Sequence, residues 1–263
     1  MTQIKVLVHG AAGRVGQEVV KAVCQEPEMK LVGAVDVKVS GDSLTLPDGK
    51  GSVPFITDFK SAIITCEPDV VVDFSITKAS MPAVRIAAKN GVNMVIGTTG
   101  FSAAELDEMQ KLAEANEIGI VAAPNFALGA VLMMHLAKIA GKFIDHAEII
   151  ELHHDKKLDA PSGTSLLTAK AMAEARGKSF LPPSAGEHTA SRGQVVSGIS
   201  IHSVRLPGLM AHQEVIFGAA GQTLSIRHDT INRECYMPGV MLAVKAVVKR
   251  KGFIYGLDKL LGL

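Results

Sequence analysis

Excess charge of either sign is missing from this sequence: the formal net charge is +1 over 263 residues. That balance offers no electrostatic footprint for a nucleic acid or an anionic membrane surface. Cysteine is scarce. Cys24, Cys66 and Cys235 lie far apart with no CxxC spacing, which argues against a disulfide framework or a zinc knuckle and for reduced thiols in a cytoplasmic protein. No apolar stretch approaches the roughly 18 residues of a membrane span. The N-terminal MTQIKVLVHGAAG enters a strand at once and lacks the segments of a signal peptide. Tryptophan is absent, and aromatics make up 4% of the chain. What remains is a globular composition, 48% apolar, with material for one or two domains and a buried core.

The first half alternates two hydrophobic periods. IKVLVHG, LVGAVDV, VVVDFS, VNMVIGTTG and IGIVAAPN are near-continuous strand runs, and GQEVVKAVCQE and SAAELDEMQKLAEANE have helical spacing. Such alternation predicts a parallel sheet covered on both faces, a Rossmann-type α/β domain over residues 1–125. The pattern then changes. GAVLMMHLAKIAGKF reads as a helix, HAEIIELHH as a strand and SGTSLLTAKAMAEA as a helix. VVSGISIHSVRL, HQEVIFGAA and QTLSIRHD follow with period-two alternation, Ile199 and Ile201 on one face and Ser200 and His202 on the other. Residues 126–233 are therefore expected to form an α+β domain with an open, mixed sheet. The last segment, PGVMLAVKAVVKRKGFIYGLDKLL, reads as helical, and residues 234–263 are assigned back to the first domain.

VHGAAGRVGQ sets Gly10, Gly13 and Gly16 between a strand and a helix, a GxxGxxG spacing. Gly10 permits the tight turn, Gly13 lets backbone approach a pyrophosphate, and Gly16 brings helix and strand close. The helix N-terminus supplies free N–H groups for phosphate. Asp36 ends the second strand 20 residues after Gly16, where an acid binds the adenine ribose. These features point to a nicotinamide dinucleotide, with a purely structural turn or another nucleotide as alternatives. The loops GTTG (Gly97 to Gly100) and APNF (Ala123 to Phe126) also follow strands. In open α/β sheets they would face the nicotinamide, although each taken alone reads as ordinary turn chemistry.

The stretch ELHHDKKLDAPSGTS, Glu151 to Ser165, gathers two histidines and two lysines within five positions ahead of a helix. Adjacent strand residues point to opposite faces, so His153, His154 and Asp155 make a poor metal set, and no metal is expected. Ser162 lacks a GxSxG elbow, which speaks against a nucleophile. A solvated charged loop remains open. The functional alternative uses every part. DAPSG starts a helix with Pro161 near N1 and Asp159 or Ser162 as cap, and the first-turn N–H groups of Gly163 and Thr164 receive a carboxylate. A neighbouring histidine or lysine then delivers a proton.

GAAGRVGQ, VVDFS, VIGTTGF, APNFALG, ELHHDKKLDAPSGTS and SVRLPG together resemble, in order and across nearly the whole chain, the 4-hydroxy-tetrahydrodipicolinate reductase (dihydrodipicolinate reductase) family of lysine and diaminopimelate biosynthesis. The run His153 to Thr164 is the most specific. The resemblance implies a homotetramer built through the second domain. It also implies hydride transfer from NADH or NADPH to a small cyclic dicarboxylate imine, with loss of water. His153 resembles the family's proton donor/acceptor and Lys157 its proton donor. His154, Gly163, Thr164 and Arg233 match substrate-binding positions. Gly10, Ala11, Ala12, Gly13, Arg14, Val15, Asp36, Gly97, Thr98, Thr99, Ala123, Pro124, Asn125 and Phe126 match cofactor-binding stretches. Val37 and Ile76 stand where some members carry an arginine, which leaves Lys38 and Arg14 as the charges nearest a 2′-phosphate and leans the balance toward NADH. An amino-acid dehydrogenase of similar build would have the glycine loop without the HHxxKxDAPSGT run, and a nucleotide sensor would be expected to lose His153 and Lys157.

Overall fold

The strand runs of the first half assemble into one sheet. In the computed structural model, which describes residues 3–39, 41–182 and 189–263, the chain divides into two compact units, Met1–Leu128 with Tyr236–Leu263, and Gly129–Cys235. In the first unit β1 (Ile4–His9), α1 (Arg14–Gln25), β2 (Met29–Val35), β3 (Ser43–Thr45), β4 (Ser52–Ile56), α2 (Phe59–Cys66), β5 (Val70–Asp73) and α3 (Thr77–Lys89) follow in order. β6 (Asn93–Ile96), α4 (Ala103–Ala115), β7 (Gly119–Ala122), α7 (Met237–Val247), β13 (Gly252–Tyr255) and α8 (Leu257–Leu261) complete it. The sheet order is β13-β7-β6-β5-β1-β2-β4-β3, parallel except for the β3/β4 pair. Every residue of β5 and β7 is buried, as strands covered on both faces require. Leu7, Val71, Met94, Ile96 and Ile120 lie at the centre of the core on one face.

The chain moves from β1 outward through β2 and β4, then returns to β5 on the other side of β1. That reversal opens a crevice between the carboxyl ends of β1 and β5, the place where open α/β sheets bind ligands. His9 and Asp73, the last residues of these strands, are register partners there.

The second unit contains α5 (Leu128–Ala140), β8 (His146–His153), α6 (Gly163–Arg176), β9 (Gln194–Val196), β10 (Ile199–Arg205), β11 (Ala211–Ala219) and β12 (Gln222–Thr230). Its sheet order is β12-β11-β8-β10-β9, with β10/β8 parallel and the other pairs antiparallel. This is the expected open mixed sheet. Ala147, Ile149, Ile199, Ile201, Val215 and Phe217 pack on Ala137 of α5 and on Ala169 and Met172 of α6.

Two local expectations are corrected. VVSGISIHSVRL is not one strand. Ser197 and Gly198 both take positive φ, 53° and 82°, and turn the chain into a two-residue hairpin between β9 and β10. The segment after α7 is not wholly helical either. GFIY forms β13, which pairs in parallel with β7.

Candidate functional site

The glycine loop is shaped by close backbone approach. Gly10 has φ 82°, and a Cβ there would stand 2.6 Å from the Phe74 carbonyl oxygen. At Gly16 a Cβ would stand 2.0 Å from the Gly10 oxygen, so the helix can sit this close to the loop only without a side chain. Gly13 caps α1, whose first turn carries no acidic residue, and its N–H donates to the Gly10 carbonyl at 3.0 Å. Ala11 is buried, Ala12 and Val15 are half-buried, and Arg14 is exposed.

Asp36 closes this loop. Its Oδ2 accepts from the Ala12 N–H at 2.9 Å and its Oδ1 from the Lys38 N–H at 3.0 Å. The acid beyond β2 is thus clipped to the loop beyond β1, while Val37 and Lys38 project into solvent. Gly97 to Thr99 follow β6. Thr98 is buried and donates to Asp73 at 3.1 Å, and the Thr99 carbonyl accepts from Thr77 Oγ1 at 2.8 Å. Ala123 to Phe126 follow β7. Pro124 is exposed and Asn125 half-buried, whereas the Phe126 ring is buried 5.9 Å from the Phe74 ring and acts as packing under the loop. All four segments stand at the carboxyl edge of one parallel sheet, and the crowding at Gly10 and Gly16 fits the backbone cradle that a dinucleotide pyrophosphate needs.

Sequence reasoning passed over the anchor of this edge. Asp73 is fully buried. It accepts from Ser75 N–H at 3.1 Å, from Ser80 Oγ and from Thr98, and His9 Nδ1 stands 3.0 Å away without the alignment of a hydrogen bond. Burial pushes its carboxyl up, and His9, Ser75 and Ser80 more than reverse this, leaving it below the usual range.

In the second unit β8 ends at His153, and His154 to Lys157 form a turn closed by the Lys157 N–H on the His154 carbonyl at 3.1 Å. Ser162 is the N-cap of α6, its Oγ accepting from Ser165 N–H at 3.2 Å. Gly163 is therefore N1, and Pro161, expected near N1, stands directly before the cap. Nor is Asp159 the cap, because its carboxylate receives Lys157 Nζ at 2.7 and 2.8 Å and is held below its ordinary pKa chiefly by that bond. The N–H groups of Gly163 and Thr164 occupy N1 and N2, where a helix offers no internal acceptor. Ser165 Oγ donates to Gln213 of β11 at 3.0 Å, and Gln213 donates to Thr168 at 2.8 Å, so a buried polar chain pins this helix end to the sheet.

His153 is not free. Its Nδ1 is bonded to Glu151, two residues back on the same face of β8. Glu151 is fully buried and accepts from both terminal nitrogens of Arg205, at 2.9 and 2.7 Å, and from Ser162 N–H at 3.2 Å. Burial raises its pKa, and bonds from His153, Arg205 and Ser203 outweigh that, lowering it to about 2. Glu151 and Arg205 were given no role from sequence; the signal was the i, i+2 spacing of Glu151 and His153 on one strand face. His154 is half-buried. Arg233 lies in the 3-10 turn Arg233–Tyr236 and is half-buried. No metal-binding cluster occurs among the described residues, and none of their helices is long and apolar enough to cross a membrane.

Two family models match the chain, "Dihydrodipicolinate reductase, N-terminus" over residues 4–126 and "Dihydrodipicolinate reductase, C-terminus" over residues 129–261. The chain is 61% identical over 263 residues to 4-hydroxy-tetrahydrodipicolinate reductase of Dehalococcoides mccartyi, covering 100% of both. It is 48% identical to the enzyme of that name from Moorella thermoacetica, covering 98% of each. The solved structure of dipicolinate-bound dihydrodipicolinate reductase from Paenisporosarcina sp. TG-14 superposes with a TM-score of 0.86 at 41% identity, over 98% of this chain and 99% of that one. An amine dehydrogenase from Mycobacterium smegmatis, 14% identical with a TM-score of 0.64 over 98% of this chain and 96% of that one, shares the fold alone. The chain belongs to the dihydrodipicolinate reductase family of NAD(P)H-dependent oxidoreductases.

Proposed function

We propose that this enzyme reduces 4-hydroxy-tetrahydrodipicolinate to tetrahydrodipicolinate in the cytoplasm, with residues 1–125 and 234–263 holding NADH or NADPH and residues 126–233 holding the substrate. The observation that carries the reading is the loop from His153 to Thr164. There a carboxylate-tethered histidine, a lysine and an uncapped pair of helix N–H groups lie within one turn-and-helix unit. The dipicolinate held by the Paenisporosarcina relative belongs to the same class, a ring bearing two carboxylates. The three free thiols suit a reducing compartment.

In this reading the N–H groups of Gly163 and Thr164 grip one substrate carboxylate, and His154 and Arg233 complete the grip. Gly10 to Val15, Asp36, Lys38, Gly97 to Thr99 and Ala123 to Phe126 form the cofactor cradle. Bound nicotinamide supplies the hydride that reduces the ring. Lys157 exchanges Asp159 for a substrate carboxylate and, with His153, supplies the proton that accompanies departure of the hydroxyl as water. One hydride and one proton enter and one water leaves, so the step balances.

The second unit also carries the proposed tetramer interface. On the sheet face away from α5 and α6, half-buried Ile150, Leu152, Val204 and Ile216 alternate with Glu148, His202 and Glu214. An apolar face of this kind invites association. Cofactor oxidation monitored with freshly generated substrate, alongside sedimentation mass, tests the proposal. No NADH or NADPH consumption would reject the activity, and a monomer at micromolar concentration would reject the assembly.

A further inference from the structure

We propose that Glu151 and Arg205 are positioning residues that fix which nitrogen of His153 faces the substrate. The inference rests on the assignment of proton transfer to His153. Glu151 is fully buried, and the donors around it come from three parts of the unit. His153 approaches along β8, Arg205 from β10, and the Ser162 N–H from the cap of α6. Arg205 is itself fixed, because its terminal nitrogens also donate to the carbonyls of Val204 and Asp159, each at 2.7 Å. The guanidinium thereby ties the carboxylate to the loop that carries Lys157.

Structural satisfaction of the carboxylate does not require the imidazole, since the Arg205 fork and the Ser162 N–H already neutralise and bond it. The ring contact therefore acts on the ring. An ionised carboxylate is acceptor-only, so Nδ1 carries a hydrogen whatever the charge of the ring. Nε2 is left as the exchanging nitrogen, an acceptor in neutral imidazole and a donor in imidazolium. An untethered histidine would divide its time between tautomers and rotamers. Here the register of β8 against β10 places Arg205 directly beside His153, and the orientation is built into the sheet.

The test is a double-mutant cycle. Turnover and Michaelis constants are measured for wild type, Glu151→Gln, His153→Ala and the double variant. We expect Glu151→Gln to lower kcat by about 10- to 100-fold, by analogy with the loss of an outer partner of a metal-bound imidazole. The Michaelis constants for substrate and NADH should stay within a few-fold. The double variant should be no slower than His153→Ala, because a residue acting through His153 has nothing to add once the ring is gone. A full additional loss in the double variant overturns the inference and leaves the His153 assignment intact. Undiminished turnover in His153→Ala removes the assignment itself. Glu151→Gln leaves a buried arginine without its anion, so an insoluble variant is a foreseeable outcome. In that case ring nitrogen-15 shifts of His153 in the wild-type enzyme decide. A protonated Nδ1 and a bare Nε2 in the neutral ring support the inference, and the opposite tautomer overturns it.

Discussion

Replacing Gly163 by proline separates the chemistry of the helix end from its stability. Gly163 is N1 of α6, and Ser162 before it has φ −65° and ψ 149°, the extended conformation that a residue preceding proline requires. A Cβ at Gly163 would meet nothing within 4 Å. Proline is favoured at N1 because the lost N–H has no intrahelical acceptor, and it restricts the unfolded chain. The fold should therefore accept Gly163→Pro, with a Tm equal to or slightly above that of wild type. The donor is lost nonetheless. A hydrogen bond to a charged group contributes about 1.5–3 kcal/mol. At about 1.4 kcal/mol per tenfold, that is roughly a 10- to 100-fold rise in the KM for substrate. Gly163→Ala keeps the N–H and should leave the KM within about two-fold of wild type, since hydrogen-bond loss is the only large term at this position. Initial rates, inhibition by pyridine-2,6-dicarboxylate and thermal melts on the three proteins complete the assay. A wild-type KM in Gly163→Pro, or equal impairment in Gly163→Ala, would show that the carboxylate is bound elsewhere.

Lys157→Ala should lose about 100- to 10,000-fold in turnover, the range for general acid catalysis, with NADH affinity within a few-fold; near-normal turnover would remove Lys157 from the mechanism. At Gly16 a methyl group would lie 2.0 Å from backbone, so Gly16→Ala should cost about 1–3 kcal/mol in combined folding and NADH binding, and unchanged Tm and Kd would refute that reading of the loop. Asp36 repels a 2′-phosphate and Lys38 supplies a point charge without a fork, so kcat/KM should favour NADH modestly and Lys38→Ala should harm NADPH use more. A strong NADPH preference that survives high salt would contradict this. Glu151 titrates at about 2 in the fold against 4.5 ordinarily, so its stabilisation is complete above 4.5 and is lost as pH falls through 2. Acid unfolding curves of wild type should therefore drop more steeply across that window than those of Glu151→Gln, and parallel curves would refute the assignment.

The parallel sheet was legible because doubly covered strands leave their mark in sequence: VVVD and GIVA are apolar enough to be buried along their whole length. The glycine loop was legible because only glycine meets the contacts at positions 10 and 16. GFIY was not. Four residues following a helix and a basic turn have no period of their own, and they become a strand only because β7 offers an edge some 130 residues earlier in the chain. The hairpin at Ser197 was missed for a related reason, since serine seldom takes positive φ and only its pairing with Gly198 makes the turn. DAPSG left Asp159 and Ser162 both open as the cap, because both are good caps, and the choice of Ser162 was decided by Lys157, which draws Asp159 away.

The partners that organise the site stayed hidden for a deeper reason. Asp73 and Glu151 are both fully buried carboxylates at or near the carboxyl end of a strand, and each collects donors from segments far apart in sequence. Asp73 gathers Ser75, Ser80 and Thr98, with His9 at its side, and so joins the end of β1 to the loop after β6. Glu151 gathers His153, Ser162 and Arg205, and so joins the end of β8 to a helix cap and a neighbouring strand. Taking such a carboxylate out of water costs several kcal/mol, and its partners repay that only when all are present. Stability alone gives little reason to build one, because an apolar side chain of similar volume is often as good. Geometry gives the reason. A saturated carboxylate has one arrangement in which every donor is satisfied, and it holds each donor's own loop to that arrangement. In each unit the loops that would meet cofactor or substrate hang from such a point, so the cost of burying the charge is spent on the placement of Thr98 in one and of His153 in the other.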